Sequence, residues 1–104
     1  MQSLTVTYEQ FAAAVGTSFK AVLGSSEACP LRLAEVSERR LASGFETFSL
    51  TLNGPLMPEL GQGIHRLVHE TLGTQDLFLV PEQRKPDGMQ YHVAFNRTAP
   101  QDHA

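Results

Sequence analysis

The sequence predicts a mainly β (α+β) domain, with one N-terminal helix and about six antiparallel strands forming a small barrel or strongly curved sheet. Three observations carry that prediction. The clearest helical signal is confined to residues 6–16, VTYEQFAAAVG. After Gly16 the apolar period falls from helical spacing to strict alternation. Clusters of Gly, Pro and Asn then punctuate the alternating runs, as turns between strands do.

The helix has both a start and a stop. Thr7 and Gln10 stand at capping-box spacing, where each side chain satisfies an orphan backbone N–H of the other. Val6 and Phe11 flank the box as a hydrophobic staple. Tyr8, Phe11, Ala12 and Val15 follow at i, i+3, i+4 and i+7, which predicts one apolar stripe. Gly16 suits the left-handed residue that ends a helix. Two turns are marginal alone in water, so the helix must lie across a sheet or close one end of a barrel.

Ser18 to Leu23 reads as a first strand with Phe19, Ala21 and Leu23 on one face. GSSEACP, residues 24–30, reads as its turn. Leu31 to Ser37 is a second strand, with Leu31 and Leu33 facing one way and Ala34 and Val36 the other. ERRLASG is polar and turn-like. In FETFSLTLNGP, Phe48, Leu50 and Leu52 alternate with Thr47, Ser49 and Thr51, marking one buried and one wetter face. A loop with two prolines and two glycines leads to Gly63. Asp76 to Val80 is apolar and Pro81 ends it; RKPDG is a charged turn. MQYHVAFN alternates again, with Met89, Tyr91, Val93 and Phe95 on one face. One β-rich domain over residues 1–97 is expected, with 98–104 a disordered tail.

Eight basic residues against eleven acidic ones leave a net charge of −3. The only adjacent basic pairs, Arg39-Arg40 and Arg84-Lys85, fall in expected loops, so no concentrated patch for nucleic acid is expected. Cys29 is the only cysteine, which excludes an internal disulfide and a cysteine-based zinc knuckle. The N-terminus shows no signal-peptide pattern and no apolar run reaches spanning length, which points to a cytoplasmic protein with no membrane contact.

GIHRLVHETLG, residues 63–73, admits two readings with different chemistry. As a helix it stacks His65 over His69, an HxxxH pair with Glu70 beside it as a base. The pattern Leu60, Ile64, Leu67, Val68, Leu72 supports that. Gly61 and Gly63 oppose it, each costing about 1 kcal/mol in a helix. As a hairpin, Ile64 to His69 pairs with Thr74 to Val80 and Arg66 can sit opposite Asp76. Residues four apart on a strand lie roughly 13 Å apart, too far to share an ion. The strand is favoured.

YEQFAAAVGTSF, ETFSLTLNGP, QGIHRLVHETLGTQDLFLVP and DGMQYHVAFN, in that order, span most of residues 4–97. In them the chain resembles a family of small bacterial proteins known only as a domain of unknown function. The resemblance implies one helix followed by antiparallel strands, with the QGxHRLxHxxLG block in a strand and its hairpin turn. Members are often encoded beside proteins with a phage-tail-collar domain. That implies a part in making or using fibre-like assemblies, and it assigns no site residues.

Catalytic signals are thin. Cys29 would be a nucleophile only with His65, His69 or His92 in reach; otherwise it is a small thiol in the turn before Pro30. His92 lies opposite the apolar face of its strand and is expected in solvent. Asp76, Asp87, Glu46 and Glu70 show no paired-carboxylate spacing. No Gly-rich phosphate loop, GxSxG elbow or HExxH motif is present. No catalytic residue, metal or cofactor is expected. NGPLMPELGQG is unusually apolar for a loop, and Leu56, Met57, Pro58 and Leu60 are the protein-contact candidates. Either they are exposed to a partner, or Leu56 and Leu60 fold inward and cover one end of the core.

The expected function is a non-enzymatic protein-interaction module, an accessory, adaptor or chaperone of a collar-domain fibre assembly. Its partner would be a protein, with homo-oligomer formation also open. The alternative is a barrel that binds a small apolar ligand.

Overall fold

The structure, a computed structural model, describes residues 6–24 and 27–98. The helix α1 is Tyr8–Ala13; the strands are β1 (Ser18–Leu23), β2 (Glu27–Val36), β3 (Arg40–Ala42), β4 (Phe45–Gly54), β5 (Gly63–His69), β6 (Gly73–Lys85) and β7 (Gly88–Thr98). They form one antiparallel sheet in the order β2-β1-β5-β6-β7-β4-β3, and a further β2–β4 pairing closes six of the strands into a barrel. The mainly β prediction holds. The seventh strand, β3, lies outside the ring against β4. No helix among the described residues is long and apolar enough to cross a membrane.

Closure depends on β2 serving two neighbours. Glu27–Arg32 pairs with β1 and Arg32–Val36 with β4, with a register shift between Leu33 and Glu35. That irregularity corrects the expectation that Val36 faces away from Leu33. A bulge adds one residue, so Val36 returns to the core side, where it packs against the buried cluster.

Three further corrections have physical causes. GSSEACP is not all turn, because β2 starts at Glu27 and carries Cys29 into the core at 1% exposure. ERRLASG contains β3, turned back onto β4 by Ser43 and Gly44, both at positive φ (53° and 80°). That pair of dihedrals makes the two-residue turn suited to a twisted hairpin. Pro81 does not end its strand: β6 runs to Lys85. Pairing with β5 stops at Leu79 and a register shift with β7 follows Pro81, so the missing N–H falls where the ladder is already broken.

α1 has both hydrogen bonds of its capping box, Thr7 N–H to Gln10 Oε1 (2.9 Å) and Gln10 N–H to Thr7 Oγ1 (3.1 Å). Its buried face is Phe11 with Ala14; Ala12 and Val15 are exposed. Ala12 lies within the helix but faces outward, so the predicted stripe narrows to Phe11, while Val15 falls beyond the helix end at Ala13, where helical spacing no longer orients it. Phe11 closes one barrel end against Phe95 (5.3 Å between ring centroids) and Phe48 (6.0 Å), which stack on each other at 4.7 Å.

The same end holds a buried charge. Glu46 shares the inward face of β4 with Phe48 and is fully buried. Arg39 Nε donates to one carboxylate oxygen (2.7 Å) and Arg97 Nε to the other (2.6 Å). Arg97 also lies over the Phe48 and Phe95 rings and donates to the Val6 carbonyl at 2.8 Å, tying the start of α1 to β7. Thr98, the first residue of the expected tail, is the last of β7; the remainder, 99–104, lies outside the described residues.

Candidate interaction surface

The apolar loop between β4 and β5 divides its candidates by direction. Leu60 is buried at 4% exposure and Leu56 packs partly buried against the core. Met57 is 77% exposed and Pro58 is exposed as well. Inward packing of Leu56 and Leu60 covers one end of the core, and Met57-Pro58 is what the loop offers to solvent. Two polar contacts hold it: Leu60 N–H donates to the buried Tyr91 hydroxyl at 2.8 Å, and Arg84 reaches Glu59 at 3.0 Å. The second is exposed and contributes little. The first is buried. Tyr91→Phe should leave Leu60 N–H without its acceptor and cost about 1–3 kcal/mol. Amide exchange would check it, with Leu60 and its neighbours losing protection before the strands do.

A larger apolar surface lies on the outer wall of the β5–β6 hairpin. Ile64 and Phe78 sit directly opposite each other across the pair. They are 71% and 48% exposed. Val68 on β5 and Val22 on β1 are also exposed. In the middle, Arg66 faces Asp76 in register and bonds it at 3.0 Å, the cross-strand pair that one register of the hairpin allows. Leu67, Leu77 and Leu79 point inward, so this hairpin is apolar on both faces. The sequence signal was available in LFLV, residues 77–80. Four consecutive apolar residues on a strand put two on each side.

A second exposed element is the β3–β4 hairpin. β3 is the last strand of the sheet order, so among the described residues its outer edge has no strand partner. Leu41 and Phe45 beside it are 60% and 50% exposed. Three residues make a short template, which limits strand addition there.

The titratable residues singled out from the sequence do not converge. GIHRLVHETLG is β5 and the turn into β6, as the strand reading requires. His65 Nε2 meets the Gly61 carbonyl at 2.7 Å. His92 is on the outer face, 3.9 Å from Glu82. Cys29 is buried in β2, not in a turn, and burial pushes its thiol above the ordinary range. Among the described residues no three His, Cys, Asp or Glu side chains gather as a metal site.

His69 Nε2 lies 2.7 Å from Thr17 Oγ1, the spacing of a base and a hydroxyl nucleophile. Its other nitrogen decides the chemistry. Nδ1 accepts from the backbone N–H groups of Thr71 (3.0 Å) and Leu72 (3.1 Å), so the ring hydrogen sits on Nε2. Nε2 therefore donates to Thr17, whose hydroxyl donates to the Ala14 carbonyl at 2.5 Å. In this arrangement His69 takes no proton from Thr17. It clasps the β5–β6 turn to the end of α1.

A family model described as Domain of unknown function (DUF6916) matches residues 6–95 of the chain. No curated protein and no solved structure matches it.

Proposed function

We propose a protein-contact role for this chain, which belongs to the family described as Domain of unknown function (DUF6916). In this reading it is a non-enzymatic interaction module, an accessory, adaptor or chaperone of a phage-tail-like fibre assembly, and its partner is a collar-domain fibre protein. The observation that carries the contact role is the outward Ile64–Phe78 pair on the wall of a closed barrel. Burying a side chain of either kind stabilises by about 1.5–3 kcal/mol. Two adjacent ones, rimmed by Arg66 and Asp76, have the anatomy of an apolar interface centre with a polar border. The collar-domain partner rests on what the resemblance in the four sequence blocks implies.

The barrel interior favours contact on the outside over capture of a small apolar molecule within. Leu50 and Tyr91 are fully buried there, Phe48 nearly so, and Phe95 packs against them. A ligand would have to displace packed side chains, and close-packed cores resist that.

Co-purification with a tagged collar-domain protein of the same genome tests the proposal. The wild-type chain should be retained, and Ile64→Asp and Phe78→Asp should each weaken retention roughly tenfold or more. Both positions are exposed, so the melting temperature should move by only a few degrees. Met57→Asp reads the loop separately: if it alone abolishes retention, the contact is at the loop. No retention of the wild-type chain would sink the fibre role.

A further inference from the structure

An open groove of about 440 Å³ lies where β2 parts from β4, beside the β6–β7 hairpin. The β2–β4 ladder begins at Arg32↔Asn53, and β2 continues beyond it through Pro30, which has no N–H to extend the pairing. The seam therefore opens at that point. Ser18, Arg32 and Asn53 line it, with Lys85 from the facing hairpin.

The register makes this polar set a continuous row. Ser18 stands opposite Arg32, Arg32 opposite Asn53, and Asn53 opposite Gln90, across β1, β2, β4 and β7. Directly opposed residues have Cβ atoms about 5 Å apart, within reach of one small ligand. Four of the six arginines are held by carboxylates; Arg32 and the exposed Arg40 of β3 are not, and of those two only Arg32 lines the groove. Arg39 and Arg97 hold Glu46, Arg66 holds Asp76, and Arg84 holds Glu59. Arg32 has a hydroxyl on one side and an amide on the other, and neither it nor Lys85 is in an ion pair among the described residues. Asp87 also lines the groove and offsets one cation, which leaves the lining with a net positive charge. Pro30, Pro55 and Met89 add an apolar side.

We infer that this groove is an oxyanion-binding site, in which Arg32 and Lys85 supply charge and Ser18 and Asn53 supply hydrogen bonds to a small phosphate or carboxylate group. A guanidinium fork matches either oxyanion in bidentate fashion, and a lysine adds a mobile point charge. The site is separate from the Ile64–Phe78 wall, so it stands or falls apart from the proposed protein contact.

Amide shifts of ¹⁵N-labelled protein, followed while inorganic phosphate or succinate is added at constant ionic strength, test the site. The amides of Arg32, Asn53, Gly54 and Gly88 should move together and saturate. Arg32→Gln with Lys85→Gln should weaken binding tenfold or more, while Arg40→Gln, which removes an exposed cation on β3, should not. Both replaced side chains are exposed, and matching melting curves would show that the fold is retained. Saturation by phosphate alone identifies a phosphoryl ligand, and saturation by succinate alone a carboxylate. Saturation by both identifies general oxyanion recognition. Linear drift without saturation for both probes, or equal binding by the double variant, would overturn the assignment.

Discussion

Glu46→Ala is expected to lower the stability of the fold by about 3 kcal/mol, the lower end of what breaking a buried ion pair costs. The carboxylate has no exposure and accepts from Arg39 and Arg97 at 2.7 and 2.6 Å. Alanine strands two guanidinium groups at the end of the core. Each is about a quarter exposed (27% and 24%), so water recovers part of the loss, which is why the lower end applies. For a domain of this size each kcal/mol moves the midpoint by about 4–8 °C, so a fall of more than 10 °C is expected. Chemical denaturation would check it, and a loss under about 0.5 kcal/mol would refute the account.

The same group makes stability pH-dependent. Burial alone would raise the Glu46 carboxyl, but the hydrogen bonds and charges of Arg39 and Arg97 outweigh it and hold it below the ordinary glutamate value. A depressed folded-state value means that the stabilisation is full above the unfolded-state value, about 4.3, and is lost as pH falls through the folded one. Glu46→Gln should flatten the acid limb below about pH 5 while leaving the shape of the site unchanged. An acid limb as steep as the wild type's would assign it to other carboxylates.

Phe11→Ala should cost about 3–5 kcal/mol, as for other fully buried phenylalanines. The ring has no exposure and joins α1 to Phe48 and Phe95. A six-residue helix has no independent stability, and its capping box contributes only about 1 kcal/mol. Loss of the ring should therefore release α1 and open that barrel end. Amides of Phe11 to Ala14 should lose exchange protection, with β4 and β7 protected up to the reduced global stability. Retained protection across α1 would mean that His69 and Arg97 hold the helix without Phe11.

Much of this architecture is readable from short-range pattern. The capping box at Thr7 and Gln10 and the alternation of Phe48, Leu50 and Leu52 all correspond to what forms. So does the pairing of Arg66 with Asp76, because a hairpin with a short loop leaves few registers open. The errors sit where a distant strand overrides a local signal. Cys29 looks like part of a turn until β1 pairs with it through Ala21. Val36 looks outward until the bulge against β4 turns it in.

By itself, the sequence determined the class of fold, the helix and its cap, the main strands and the strand form of the histidine stretch. Each follows from neighbours within a few residues, where chain geometry alone sets which side chains share a face. Only the tertiary structure decided that Glu46 is buried between two arginines, one of them 51 residues away, and that Ile64 and Phe78 face outward together. It also decided that Ser18, Arg32, Asn53 and Gln90 align in one row. Those relations depend on which strand lies beside which and in what register. That is fixed when the barrel closes, since a closed sheet links every register to the others.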